Sequence, residues 1–133
     1  MRDVWFRRVG ECPRFISEDG TDLCELLHPG RPEARDLPVG FSIAHARLAP
    51  EKSSIPHRLR QSCEIYYILE VRGTMHVDET IRDMEPGDIV YIPPGALQWI
   101  ENTSRDTLAF LALVCPPWRE EGQEVLPSRN LSP

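Results

Sequence analysis

The chain has 133 residues, of which 15 are basic and 21 acidic, for a formal charge of −6. That length supports one compact domain with its own core, and a hydrophobic fraction of 41% excludes a disordered chain. A single lysine, Lys52, among scattered arginines excludes a binder of phosphate backbones, and the longest apolar stretch, Leu108 to Val114, is far short of the roughly 20 residues of a membrane helix.

The first residues, Met1-Arg2-Asp3-Val4-Trp5-Phe6-Arg7-Arg8, lack an apolar run followed by a small-residue cleavage site, so a cytoplasmic location is expected. Cys12, Cys24, Cys63 and Cys115 form no Cys-x-x-Cys pair; in a reducing compartment they read as small buried hydrophobes rather than bridges. Thirteen prolines cut the chain into short segments and leave little room for long helices.

Taken in chain order, Thr21 to Leu27 places Leu23, Leu26 and Leu27 on one helical face but equally suits an edge strand. Phe41 to Leu48 reads as a strand with Ile43, His45 and Arg47 on one side and Ser42, Ala44, Ala46 and Leu48 on the other. Glu64 to Val71, Gly73 to Val77, Asp88 to Ile92 and Thr107 to Cys115 share strand character. They are separated by Pro-Gly punctuation at Pro86-Gly87-Asp88 and Pro93-Pro94-Gly95. Ile65 to Leu69 and Leu108 to Val114 are apolar on both faces, so both faces need a cover. One face is the core. The other calls for the N-terminal segment or a second copy of the chain, which predicts a homodimer. The polar tail from Glu120 to Pro133 is expected to fray at its end. Many short strands and frequent turns make the chain all-β, a sandwich or barrel.

Two motifs carry the chemistry. Pro56-His57-Arg58-Leu59 is followed by Glu64 and, after eight residues more, by Gly73; downstream, Gly87, Pro93, Gly95, Gln98 and Asn102 keep a second fixed spacing. Together these resemble the two motifs of the cupin superfamily, over about residues 40–115. The resemblance implies a double-stranded β-helix, or jelly-roll barrel, with residues 1–133 as a single domain whose flanks pack on the barrel. It further implies a divalent metal, usually iron, manganese, nickel or zinc, inside it. Three positions depart from the pattern: Leu59 and Gln98 stand where histidines are expected, and Glu51 where a glycine is.

The spacing has its own logic. On a strand, His57 and residue 59 project to the same side; a hairpin could bring Glu64 beside them, and the sharp turn at Pro93-x-Gly95 returns Gln98 from a facing strand. One imidazole, one carboxylate and one amide oxygen are a depleted ligand set. His45 supplies a second imidazole if its side of the strand faces the cavity, and Arg47 then points the same way. Leu59, Tyr66 and Met75 are the other expected cavity residues.

The resemblance therefore implies a small metal-binding cupin handling an oxygen-rich metabolite, a sugar or carboxylic acid. The metal would be held by His57, Glu64, Gln98 and His45, as Lewis acid or dioxygen site, with Glu64 as a ligand or a proton acceptor. If it is an enzyme, isomerase, decarboxylase or dioxygenase chemistry fits. The rival is a metal-free cupin that binds a small molecule as a sensor or store, which Leu59 favours. For His57 the plain alternative is a hydrogen-bonded core histidine, and for Gln98 a barrel residue bonded to Glu64. The expected partners are a small ligand and a second copy of the chain, with neither nucleic acid nor membrane.

Overall fold

The structure, a computed structural model, describes residues 4–34 and 36–126. Eleven strands fall in chain order: β1 (Phe15–Ile16), β2 (Asp22–Leu27), β3 (Ser42–Leu48), β4 (His57–Leu59), β5 (Cys63–Glu70), β6 (Gly73–Val77), β7 (Thr80–Met84), β8 (Ile89–Ile92), β9 (Gln98–Asn102), β10 (Leu108–Cys115) and β11 (Gln123–Val125). They build a six-stranded sheet in the order β1-β2-β3-β10-β5-β8 and a five-stranded sheet in the order β11-β4-β9-β6-β7. The chain is all-β, and the two sheets enclose the barrel interior of a double-stranded β-helix.

Alternation along the strands decides what faces inward. Ser42, Ala46 and Leu48 of β3, Glu64, Tyr66 and Ile68 of β5, and Leu108, Phe110, Ala112 and Val114 of β10 are all buried. Their neighbours Ile43, Ile65, Tyr67 and Leu111 point to the outer face of the sheet. The segment Thr21 to Leu27, ambiguous in sequence, holds the strand β2 (Asp22–Leu27), which lies between β1 and β3 rather than at the edge. The end of the polar tail, residues 127–133, lies outside the described residues.

Motif residues of the sequence have structural work at their positions. A Cβ on Gly73 would meet the Glu101 carbonyl oxygen at 2.8 Å, so β6 and β9 approach there only because the side chain is missing. In Pro93-Pro94-Gly95-Ala96 the Ala96 N–H donates to the Pro93 carbonyl at 3.2 Å, with Gly95 at φ +84°, the requirement of a type II turn with proline before glycine. Asn102 is buried and ties a loop. Its Nδ2 donates to the Leu48 and Asp106 carbonyls at 2.9 and 2.8 Å, while its Oδ1 accepts from the Ser104 N–H and hydroxyl.

Glu51, where the motif has glycine, sits at φ +65° and is exposed. A side chain there bears the left-handed penalty of about 1 kcal/mol. Glu51→Gly is accordingly expected to raise stability by up to roughly that amount, less the entropy glycine adds to the unfolded chain. Chemical denaturation checks this, and a clear loss of stability would refute it.

Candidate functional site

A cavity of about 270 Å³ opens at one end of the barrel. Its inner wall is polar, with Asp19, His57 and Glu64; Ala44, Phe110 and Ala112 are among the residues of its apolar wall. His57 sits on β4 and Gln98 directly opposite it on the neighbouring strand β9. Glu64 does not reach them through a hairpin. Strands β4 and β5 belong to different sheets, so Glu64 faces the pair from the other wall, and Gln98 Nε2 donates to its Oε1 at 2.9 Å across the barrel. His57, Glu64 and Gln98 are 2%, 7% and 1% exposed, so all three are interior groups.

Asp19 is the group that sequence reading missed. It lies in the turn between β1 and β2, where its Oδ1 accepts from the Ser17 hydroxyl, the Thr21 hydroxyl at 2.7 Å and the Thr21 N–H at 3.1 Å. The turn is docked beside β4, because the Ile55 N–H donates to the Asp19 carbonyl at 2.7 Å. His57 Nδ1 lies 2.9 Å from the Ile55 carbonyl; only a protonated Nδ1 can bond to that acceptor. Nε2 is left facing Asp19 Oδ2 at 3.5 Å. The sequence signal was Ser17-Glu18-Asp19-Gly20-Thr21, an Asp-Gly turn flanked by hydroxyls. It marks a hairpin, and only the fold shows that the hairpin closes over the barrel mouth.

Burial dominates the electrostatics. Loss of solvent pushes the Glu64 carboxyl up to about 8; the Gln98 hydrogen bond partly counters this and the Asp19 charge adds to it. Burial, reinforced by the Glu64 and Asp19 charges, also holds the Tyr66 phenol well above its ordinary value. Gln98 Oε1 is buried without a hydrogen-bond partner, while the Glu64 carboxyl, protonated, can still accept from Gln98 Nε2. Glu64 and Gln98 thus fit together as a carboxylic acid and an amide.

The other expected residues lie elsewhere. Ala44 and Ala46 line the cavity, so alternation turns His45 and Arg47 to the opposite face of β3. There the Arg14 guanidinium lies 3.2 Å from His45 Nδ1, and burial together with Arg14 and Arg47 lowers the His45 pKa. Arg47 pairs with Asp22 at 3.7 Å. Leu59 lines a smaller cavity of about 120 Å³ beside Pro116 and Trp118, and Met75 is packed in the core. Tyr66 does line the main cavity, and so does Trp118.

The residues present do not fit the metal that the motif resemblance implies. Among the described residues no three His, Cys, Asp or Glu side chains lie together as a metal-ion site. The amide of Gln98 donates to the carboxyl that would have to be a ligand, and Leu59 offers no donor atom.

The family model described as the cupin domain matches residues 44–114. The chain is 37% identical over 112 residues to the uncharacterized protein MJ1618 of Methanocaldococcus jannaschii, covering 84% of this chain and 86% of that one. It is 34% identical over 71 residues to the oxalate-binding protein of Thermotoga maritima, covering 53% and 59% of the two chains. Among solved structures, a cupin 2 conserved barrel domain protein from Salinispora arenicola superposes with a TM-score of 0.71 at 20% identity, over 90% of this chain and 92% of that one. Motif spacing, barrel topology and the match across more than half of its length agree: the chain belongs to the cupin domain family.

Proposed function

We propose that this cupin binds a small molecule in its barrel without a bound metal, and that His57, Asp19 and Glu64 meet the ligand through hydrogen bonds and protons. The observation that carries this reading is a cavity, open at one end, whose polar wall is built from groups already arranged to donate and accept protons, in a donor set that does not converge on a metal. Its size and mixed lining suit a small ligand held on a few polar points. Glu64, kept as an acid to about pH 8 by burial, is a proton donor at neutral pH, and a perturbed carboxyl in a cleft is where proton chemistry is expected. Elemental analysis of the purified protein, before and after chelation, tests the metal-free part. The expected result is less than about a tenth of an equivalent of iron, manganese, nickel or zinc and an unchanged melting temperature after chelation. A stoichiometric metal whose removal lowers the melting temperature would overturn it.

The same reading includes a homodimer. Tyr67, Ile89 and Tyr91 are 41%, 66% and 59% exposed on the outer face of β5 and β8, where Tyr67 pairs with Ile89 and Ile65 with Tyr91. Such a contiguous apolar strip on a sheet face is the kind of surface that a second copy covers. Light scattering is expected to give twice the chain mass for the native protein and the single mass for Tyr91→Arg, a change at an exposed site that costs the fold little. A native monomer would refute the dimer.

A further inference from the structure

The charges around the cavity narrow its ligand, on the footing that the cavity binds a small molecule at all. Five acidic side chains belong to residues that line it: Glu18, Asp19, Glu25, Glu64 and Glu120; Glu64 is the uncharged acid bonded to Gln98 and Glu25 is paired with Arg31, which leaves Glu18, Asp19 and Glu120 as the carboxylates facing a ligand. Among the described residues no lysine or arginine lines it. Arg31, the cation nearest in the hydrogen-bond pattern, is spent on Glu25 at 2.6 Å. Arg14 and Arg47 pair with Asp22. His57 is the sole lining residue able to carry positive charge, and Asp19 Oδ2 already faces it at 3.5 Å. A carboxylate or phosphate ligand would therefore be buried against like charge with no free counter-charge, an arrangement that is strongly unfavourable away from water.

The remaining wall fits the opposite sign. Tyr66 and Phe110, whose ring centroids are 4.5 Å apart, line the cavity with Phe15 and Trp118. Aromatic faces combined with carboxylates attract ammonium groups, the faces by their quadrupole and the carboxylates by charge. Asp19 Oδ1 is taken up by the Ser17 and Thr21 donors, which leaves Oδ2, 3.5 Å from His57 Nε2, as the oxygen turned toward the imidazole, and an N–H group of a ligand is a donor that this oxygen can accept from.

We propose that the cavity selects a small organic cation, an ammonium group carried on an apolar or aromatic body, and rejects carboxylates. This separates it from the related protein whose name records oxalate binding. Because the acidic residues sit both at the rim and in the interior, the preference acts on entry as well as on the bound state.

The test is an amide-shift titration of the whole chain with three probes of one shape, benzylamine, benzyl alcohol and benzoate, followed at Ala44 and Ala112. Benzylamine is expected to bind at least about tenfold more tightly than benzoate. Asp19→Asn should weaken benzylamine several-fold and leave benzyl alcohol within about twofold. Since Asp19 also ties its own turn, the double change Glu18→Gln, Glu120→Gln at exposed rim positions provides an independent arm, with the same selective loss of benzylamine and a weaker salt dependence. Equal binding of the three probes, or tighter benzoate, overturns the cation preference and leaves the binding cavity standing. No shift at Ala44 or Ala112 with any probe up to about 10 mM would overturn the small-molecule reading and the cation preference with it.

Discussion

Replacing Glu64 with glutamine is expected to stabilise the protein by roughly 3–5 kcal/mol at pH 8 to 9 while changing little near pH 4. The cause is the displacement of the Glu64 carboxyl from its ordinary value of 4.5 to about 8 by burial. The unfolded chain releases this proton near 4.5 and the folded chain near 8, so between those values the folded state binds more protons. Stability then falls as pH rises across that window and levels off above it. Glutamine has no proton to lose, so the fall should disappear. It also keeps the oxygen that accepts from Gln98 Nε2. Denaturant melts of both proteins from pH 4 to 9 give the answer. Parallel curves would mean that Glu64 is ionised in the folded chain at neutral pH, and the acid–amide pairing with Gln98 would be wrong.

The motif positions were legible in the sequence because each is fixed by a local requirement. Gly73 answers a 2.8 Å approach of the Glu101 carbonyl, and Gly95 a turn that needs a positive φ. The long apolar strands β5 and β10 were equally readable, since β-branched and aromatic runs between turn signals have few other uses. Strand β7, Thr80-Ile81-Arg82-Asp83-Met84, was not, because four of its five residues are exposed and its pairing with β6 leaves no hydrophobic period.

The site divided along the same line. Within one strand, alternation is a binary choice that a single sequence leaves undecided when both sides hold small or polar residues. Ser42, Ala44 and Ala46 turned inward and carried His45 out. Across strands the limits are topological. Nothing local says that β4 and β5, four residues apart, part into different sheets, or that a hairpin near residue 19 packs its carboxylate against residue 57. The interior position of Glu64 gave a partial clue, since a carboxyl at the head of an apolar strand must find a donor or hold its proton.

Phe110→Ala should cost about 3–5 kcal/mol in stability, and the accompanying Phe110→Leu much less. Phe110 is 1% exposed, lies against Tyr66 with ring centroids 4.5 Å apart and planes tilted by 34°, and belongs to both the core cluster and the cavity wall. Truncation removes the apolar burial and the ring pair together. The space released joins the existing cavity, and β10 cannot collapse to fill it because it is hydrogen-bonded on both sides, to β3 and to β5. Leucine restores much of the volume and forfeits mainly the aromatic contact. Melting curves give the stability order. Titration with benzylamine and benzyl alcohol then divides the role of the ring: a wall that only fills space lets Phe110→Leu bind both probes like the native chain, whereas a cation-facing ring loses benzylamine selectively. A loss below about 1 kcal/mol for Phe110→Ala would show that the wall beside Tyr66 is loosely packed, and that the cavity is bounded by something other than the Tyr66–Phe110 pair.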